Sequence, residues 1–337
     1  MTRATLGVLA LLFASDALGA ELHVVHRGET VLTIAGGDAS LADAIRAANG
    51  LAPGVEPALG AVLAMPTGSG HEDTRGELTW LAGTATARTG AGPAAPASEG
   101  DGIAAGDTLC TGANSFATIR LSGLPGGKHH EVNLFPETCV AVEALTRRSE
   151  RVDSAVRLDQ GGLSVASDDV GGDVVVRSAA SVAVGTGGFR VRVDPESTRT
   201  EALDAPVAVF GQGAQVDLAT NQGNLTRVGE APGAAVDLLR PGVLQLPDAG
   251  AMLVRPDFRW RAVEGALGYR FEILSRRDGA GQLLMEDLPA ESFQPDLLVL
   301  PFRVDGLYWR ISSFDRTGLL GRPSDPRGFV PPPGVGP

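Results

Sequence analysis

The chain has 337 residues, with 45 glycines, 22 prolines, two cysteines and only 5% aromatic residues. This length exceeds what one small core organises and favours two to three domains, and the glycine and proline content favours short strands and turns over long helices. A formal charge of −12 repels phosphate backbones and anionic lipid, so nucleic acid is excluded as a partner.

Residues 1–20 place Arg3 ahead of an apolar run from Leu6 to Ala14, too short to span a bilayer as a mature helix. Ala17, Gly19 and Ala20 supply the small residues of a cleavage site. The segment reads as a signal peptide, with a retained N-terminal anchor as the alternative. No later stretch is apolar over enough residues to form a transmembrane segment, so the mature chain is expected to be periplasmic or secreted.

Residues 21–67 carry a strand, two short helices and a second strand. Thr30 caps a helix holding Leu32, Ile34 and Ala35, which Gly36-Gly37 ends; Ser40 caps another with Leu41, Ala44, Ile45 and Ala48 at helical spacing, which Gly50 stops. The closing strand is Ala61–Pro66. Val25, Gly28-Glu29-Thr30, Ile34-Ala35, Asn49-Gly50-Leu51 and Leu63-Ala64-Met65-Pro66 follow the pattern of a LysM domain, which this βααβ unit resembles. The pattern departs at Glu29 for the usual Asp, at His23 for an aromatic, and at Ala58-Leu59-Gly60 for Pro-Gly-Gln. The resemblance implies a shallow groove for the N-acetylglucosamine backbone of peptidoglycan or chitin, lined by Gly28, Glu29, Thr30, Asn49, Gly50 and Leu51. The same positions cap helices and turn the chain, so a LysM-like fold that binds no sugar is the other reading.

Residues 68–75 form a polar linker. From Gly76 the chain becomes a series of short alternating runs separated by glycine-rich turns, as in an all-β roll or sandwich. Ala117, Ile119 and Leu121 alternate with Thr118 and Arg120, and Val132 and Leu134 with Asn133. This predicts a hairpin around a Gly123–Lys128 turn, apolar on one face and wet on the other. Val156–Leu158 and Leu163–Val165 read as two strands with Gly161-Gly162 turning between them. Leu109 and Val140 point to the apolar side, which puts Cys110 and Cys139 together on the opposite face; they form a disulfide or remain two outer thiols.

Gly106-Asp107-Thr108-Leu109 with Thr111-Gly112, the Ala117–Leu121 and Val132–Leu134 pair before Pro136, Gly185-Thr186 before Phe189, and the VDLATNQGNLTRVGEAPG close make residues 76–240 similar to the FecR domain. That family is known from periplasmic signal transducers, whose cytoplasmic segment and membrane span find no match here. The resemblance therefore implies an envelope protein partner rather than a cytoplasmic sigma factor regulator. Residues 241–330, with Trp260, the Gly265-Ala266 to Tyr269 step, Gly306–Arg310, and Asp315 and Gly318 before Ser324, resemble a fibronectin type III sandwich, with Trp260 and Trp309 in its core. Residues 331–337 form a disordered, proline-rich tail.

Residues capable of chemistry are sparse. His129-His130-Glu131 reads as a solvated turn, because consecutive side chains on a strand point apart and zinc needs converging ligands. His23 and His26 fall on opposite faces. Asp168, Asp169 and Asp173 around Gly171-Gly172 read as a polar turn, with a calcium loop as the alternative. No nucleophile elbow, acid and base pair or phosphate-cradling loop is visible. The expectation is a mainly β, multidomain envelope protein without cofactor or enzymatic activity, bound to peptidoglycan. The alternatives are a periplasmic sensor acting through a separate membrane partner and a glycan-cleaving enzyme.

Overall fold

The structure is a computed structural model describing residues 21–66, 72–121, 129–148, 151–167, 172–253, 255–295 and 306–331. The expected signal segment, the 123–128 turn, Asp168, Asp169 and all of the tail but its first residue lie outside the described residues. The chain is mainly β and multidomain.

At the N-terminus, β1 (Glu21–Val24), α1 (Val31–Ile34), α2 (Ala39–Ala48) and β2 (Val62–Met65) form the expected βααβ unit, β1 pairing antiparallel with β2. Val25, Val31, Ala35, Ala42, Ile45 and Leu63 make its small core. Thr30 caps α1 reciprocally with Thr33. Ser40, however, does not cap α2. Asp38 does, its carboxylate accepting from the amides of Ser40 at 2.8 Å and Leu41 at 3.1 Å. A full negative charge complements the helix N-terminus better than a hydroxyl, and the helix begins earlier for it.

The central unit opens with β3 (Glu72–Asp73), β4 (Gly76–Ala82), β5 (Ala85–Arg88), β6 (Ala95–Pro96), β7 (Gly102–Ile103) and β8 (Thr108–Thr111). It continues through β9 (Phe116–Leu121), β10 (His130–Leu134), β11 (Cys139–Arg148), β12 (Arg151–Ser167), β13 (Val174–Arg177) and β14 (Val182–Gly185). It closes with β15 (Phe189–Asp194), β16 (Ser197–Ala202), β17 (Val207–Gly211), β18 (Ala214–Leu218), β19 (Gln222–Arg227) and β20 (Val236–Asp237). The strand pairings sort these into two sheets. One runs β7-β4-β9-β10-β12-β15-β16-β19-β20. The other runs β6-β5-β8-β11-β12-β13-β14-β17-β18. Their facing sides share one core, with Ile119, Leu121, Leu134, Leu163 and Phe189 from the first sheet meeting Leu109, Val140, Val156, Val176 and Val209 from the second.

Strand β12 belongs to both sheets. Its first half pairs with β11 and β13, its second with β10 and β15. The two strands expected on either side of Gly161-Gly162 are therefore one strand that changes sheet there. Gly161 takes φ +80°, and the Thr138 side chain fills the space a Cβ would need. The Thr138 hydroxyl accepts from the Gly162 amide at 2.9 Å and donates to the Gly162 carbonyl at 3.0 Å, so the crossing keeps its backbone bonds. Cys110 and Cys139 stand directly opposite one another between β8 and β11 and are joined as a disulfide, with Leu109 and Val140 turned into the core.

The C-terminal unit is a sandwich. β21 (Leu244–Leu246), β22 (Phe258–Trp260) and β25 (Ser292–Phe293) form one sheet in the order β21-β22-β25. β23 (Gly268–Leu274), β24 (Gln282–Leu288), β26 (Leu307–Phe314) and β27 (Arg327–Phe329) form the other in the order β24-β23-β26-β27. Trp260 and Trp309 lie in its core, and Phe258 meets Phe271, Trp309 and Phe329 edge to face at 5.0–5.3 Å.

The flanking units sit on the outer faces of the central sandwich. Val24 of β1 packs with Ala144, Ala155, Val175 and Phe210 on the second sheet. Trp80, Ala82 and Phe116 of the first sheet join the apolar cluster of the C-terminal unit.

Candidate functional sites

The six residues expected to line a glycan groove fall in two segments, one just before α1 and one just after α2. Gly28 at φ +85° and Gly50 at φ +63° turn the chain before α1 and after α2. The Glu29 carboxylate accepts from the His26 amide at 2.7 Å and meets the His23 ring at 2.8 Å. Burial raises its pKa, but the His26 amide and the His23 ring outweigh that, leaving it below the usual carboxylate value. Asn49 ties the end of α2 to β2: its amide donates to the carbonyls of Ile45 and Ala64, and its oxygen accepts from the Ala64 amide. Leu51 is half-buried against the core. Glu29, Thr30 and Asn49 thus direct their polar atoms at the fold itself.

The residue that draws the start of α1 and the end of α2 together is Glu56, which sequence reasoning missed because a single acid in a loop carries no pattern. Its carboxylate accepts from the Val31 amide at 2.6 Å and from Arg46 of the last turn of α2 at 3.1 Å. Leu32 and Val55, each next in sequence to an end of this bridge, are exposed by 46% and 47%. His23 and His26 are also closer than expected. Strand β1 stops at Val24, alternation no longer applies, and their rings meet edge to face at 6.3 Å while His26 rests on Phe210.

The second candidate is a cavity of about 450 Å³ between the first sheet of the central sandwich and the C-terminal sandwich. The face of β9 and β10 expected to be wet forms one wall. Thr118 and Asn133 are buried there and bonded to one another at 2.8 Å, because the C-terminal unit covers that face. His129-His130-Glu131 is not a solvated turn either. His130 begins β10 fully buried in line with Val132 and Leu134, whereas His129 and Glu131 face the cavity 3.4 Å apart.

Arginines hold the two sandwiches together around this cavity. Glu201 of β16 is fully buried, 3.0 Å from Arg192 and 3.7 Å from Arg190, and accepts from the Leu320 amide at 3.0 Å. Arg190 donates to the carbonyls of Leu320 and Gly321, Arg199 to that of Thr317 and Arg192 to that of Gly318, so the loop between β26 and β27 docks by its backbone. Burial pushes Arg190 down to about 10 against the pull of Glu201. Burial raises Glu201, but Arg192 and Arg190 hold it below its ordinary value. On the facing wall Arg310 binds Glu272 through two bonds of 2.8 and 2.9 Å, and Arg270 binds Asp287 likewise at 2.7 and 2.8 Å. Glu201 was missed because the Ser197–Ala202 strand has no apolar alternation to mark it. Thr198 and Thr200 share the inward face of β16 with Ala202, while Glu201 points outward and is buried by the C-terminal unit rather than by its own sandwich.

Among the described residues no group of three or more His, Cys, Asp or Glu is placed to hold a metal ion, and no helix is long and apolar enough to cross a membrane. No protein family matches the chain and no curated protein is similar to it. Two crystal structures of a candidate anti-sigma factor from Parabacteroides distasonis ATCC 8503 are similar to part of it, at 15% identity with TM-scores of 0.32 and 0.30. Each alignment covers 39% of this chain and 59% of that one.

Proposed function

We propose that this is a non-enzymatic, exported envelope protein that binds the N-acetylglucosamine backbone of peptidoglycan through its βααβ unit and presents its two β-sandwiches to a protein partner. The observation that carries the reading is the Glu56 bridge. It ties the segment after α2 to the first residue of α1 and the last turn of α2, with Leu32 and Val55 exposed beside it. Apolar side chains next to backbone turns are what a sugar face and its acetyl methyl group contact, and repetition of the sugar along a polymer strengthens a shallow site by avidity. The βααβ order and the quoted LysM pattern support the same reading. For the C-terminal unit, the β21-β22-β25 and β24-β23-β26-β27 sheets agree with a fibronectin type III-like arrangement, a fold that spaces or binds.

Co-sedimentation of the full chain with purified sacculi tests the proposal. The protein should pellet, and Leu32→Asp or Val55→Asp, both surface changes, should leave most of it in the supernatant. Unmodified protein remaining in the supernatant would remove the glycan role. A second reading, a periplasmic sensor of the FecR type acting through a separate membrane partner, is favoured by the docking of the two sandwiches through Glu201 and Arg190, which makes them one recognition body. It expects a stable complex with an envelope protein that survives those two substitutions.

A further inference from the structure

We propose that the cavity between the two sandwiches binds a small dianion, with carboxylate or phosphate oxygens held between Arg120 of β9 on one wall and Arg277 of the β23–β24 turn on the other. The case rests on which cavity charges are already matched. Arg190, Arg270 and Arg310 have carboxylate partners in Glu201, Asp287 and Glu272. At the rim Arg276 pairs with Asp278 and Arg322 with Asp204. Arg120 and Arg277 also line the cavity, and among the described residues neither meets a carboxylate within ion-pair distance. The Arg120 Nε is buried without a hydrogen-bond partner, so a donor shielded from bulk water points where an acceptor is missing. Glu131, opposite Arg120 in the β9–β10 register, lies 3.4 Å from His129, and Asp325 at the exposed rim meets no arginine or histidine among the described residues.

Five of the seven lining arginines are matched by carboxylates, two of them from Glu201 and Asp287 behind the walls, so the donors left open to an anion are those of Arg120 and Arg277. A cavity of about 450 Å³ suits a small molecule rather than a polymer segment. Guanidinium groups bind planar carboxylates and phosphates through paired donors, which gives two arginines on opposing walls a preference for a ligand charged at both ends. The inference is independent of the glycan reading, which concerns the other side of the central sandwich.

The test is titration of the ¹⁵N-labelled full chain at low ionic strength with glutarate and, separately, inorganic phosphate, followed by amide shifts and calorimetry. Saturable binding of either probe, weakening as salt is added, is the expected result; the stronger probe tells whether carboxylate or phosphate chemistry is preferred. Arg277→Ala, at an exposed position of the β23–β24 turn, should weaken binding about tenfold, and Arg120→Gln similarly. Arg88→Ala, an equal loss of charge on remote β5, should leave it unchanged. Failure of both probes to saturate, or equal weakening by Arg88→Ala, would overturn the proposal.

Discussion

Gly161 shows how one residue lets a strand serve two sheets. At φ +80° a side chain is strained, and a Cβ would stand 2.3 Å from the Thr138 hydroxyl and 2.7 Å from its Cα. Neither contact can be relieved without moving Thr138, whose hydroxyl closes both bonds to Gly162. Gly161→Ala should therefore lower stability by about 1–3 kcal/mol, read as a lower urea midpoint at an unchanged slope. A midpoint equal to that of the parent would mean the crossing can relax. Gly161 was visible in the sequence as a position needing conformational freedom. What it would be used for was not, because a turn and a sheet crossing leave the same local signature.

At the scale of elements, the disulfide joins β8 to β11 across a separation of 29 residues. Closing a loop of that length in the unfolded chain removes entropy worth about 3–4 kcal/mol, provided the native geometry tolerates the bond. The double variant Cys110→Ser, Cys139→Ser should lose stability on that scale in chemical denaturation, and the parent protein should lose as much under reductant. No difference between parent and variant would show the bond to be energetically idle. The register was legible because alternation put Leu109 and Val140 on one face and the two cysteines on the other. The polar face of β9 and β10 was legible as polar but not as buried, since alternation reports which residues share a face and not what covers that face.

Across the whole molecule, the contact between the two sandwiches is charged. Glu201, Glu272 and Asp287 are all held below their ordinary values, by the arginines facing them and against the effect of burial. A carboxylate with a depressed folded-state pKa contributes stability that is fully present above its unfolded value and is lost as pH falls through the folded one. For Glu201 and Glu272 the unfolded value is 4.5 and for Asp287 it is 3.8, so the loss begins below 4.5. Thermal unfolding should show a midpoint that is steady above about pH 5 and then falls with further acid. Glu201→Gln leaves two arginines facing a neutral group, at a cost of about 3–5 kcal/mol near neutrality. Its deficit relative to the parent should shrink as the pH drops below 4.5. A deficit that stays constant with pH would show that Glu201 does not act through its charge.

By itself the sequence determined the mainly β character, the βααβ start with its Thr30 cap, the facing cysteines, and Trp260 and Trp309 as core residues. Each of these is written in local periodicity or in the chemistry of a cap or turn. Only the tertiary structure decided that β12 spans two sheets, that Glu56 bridges the start of α1 and the end of α2, and that Arg120 and Arg277 line one cavity. Those relations join residues far apart in the chain, through contacts that leave no periodic trace in the order of the amino acids.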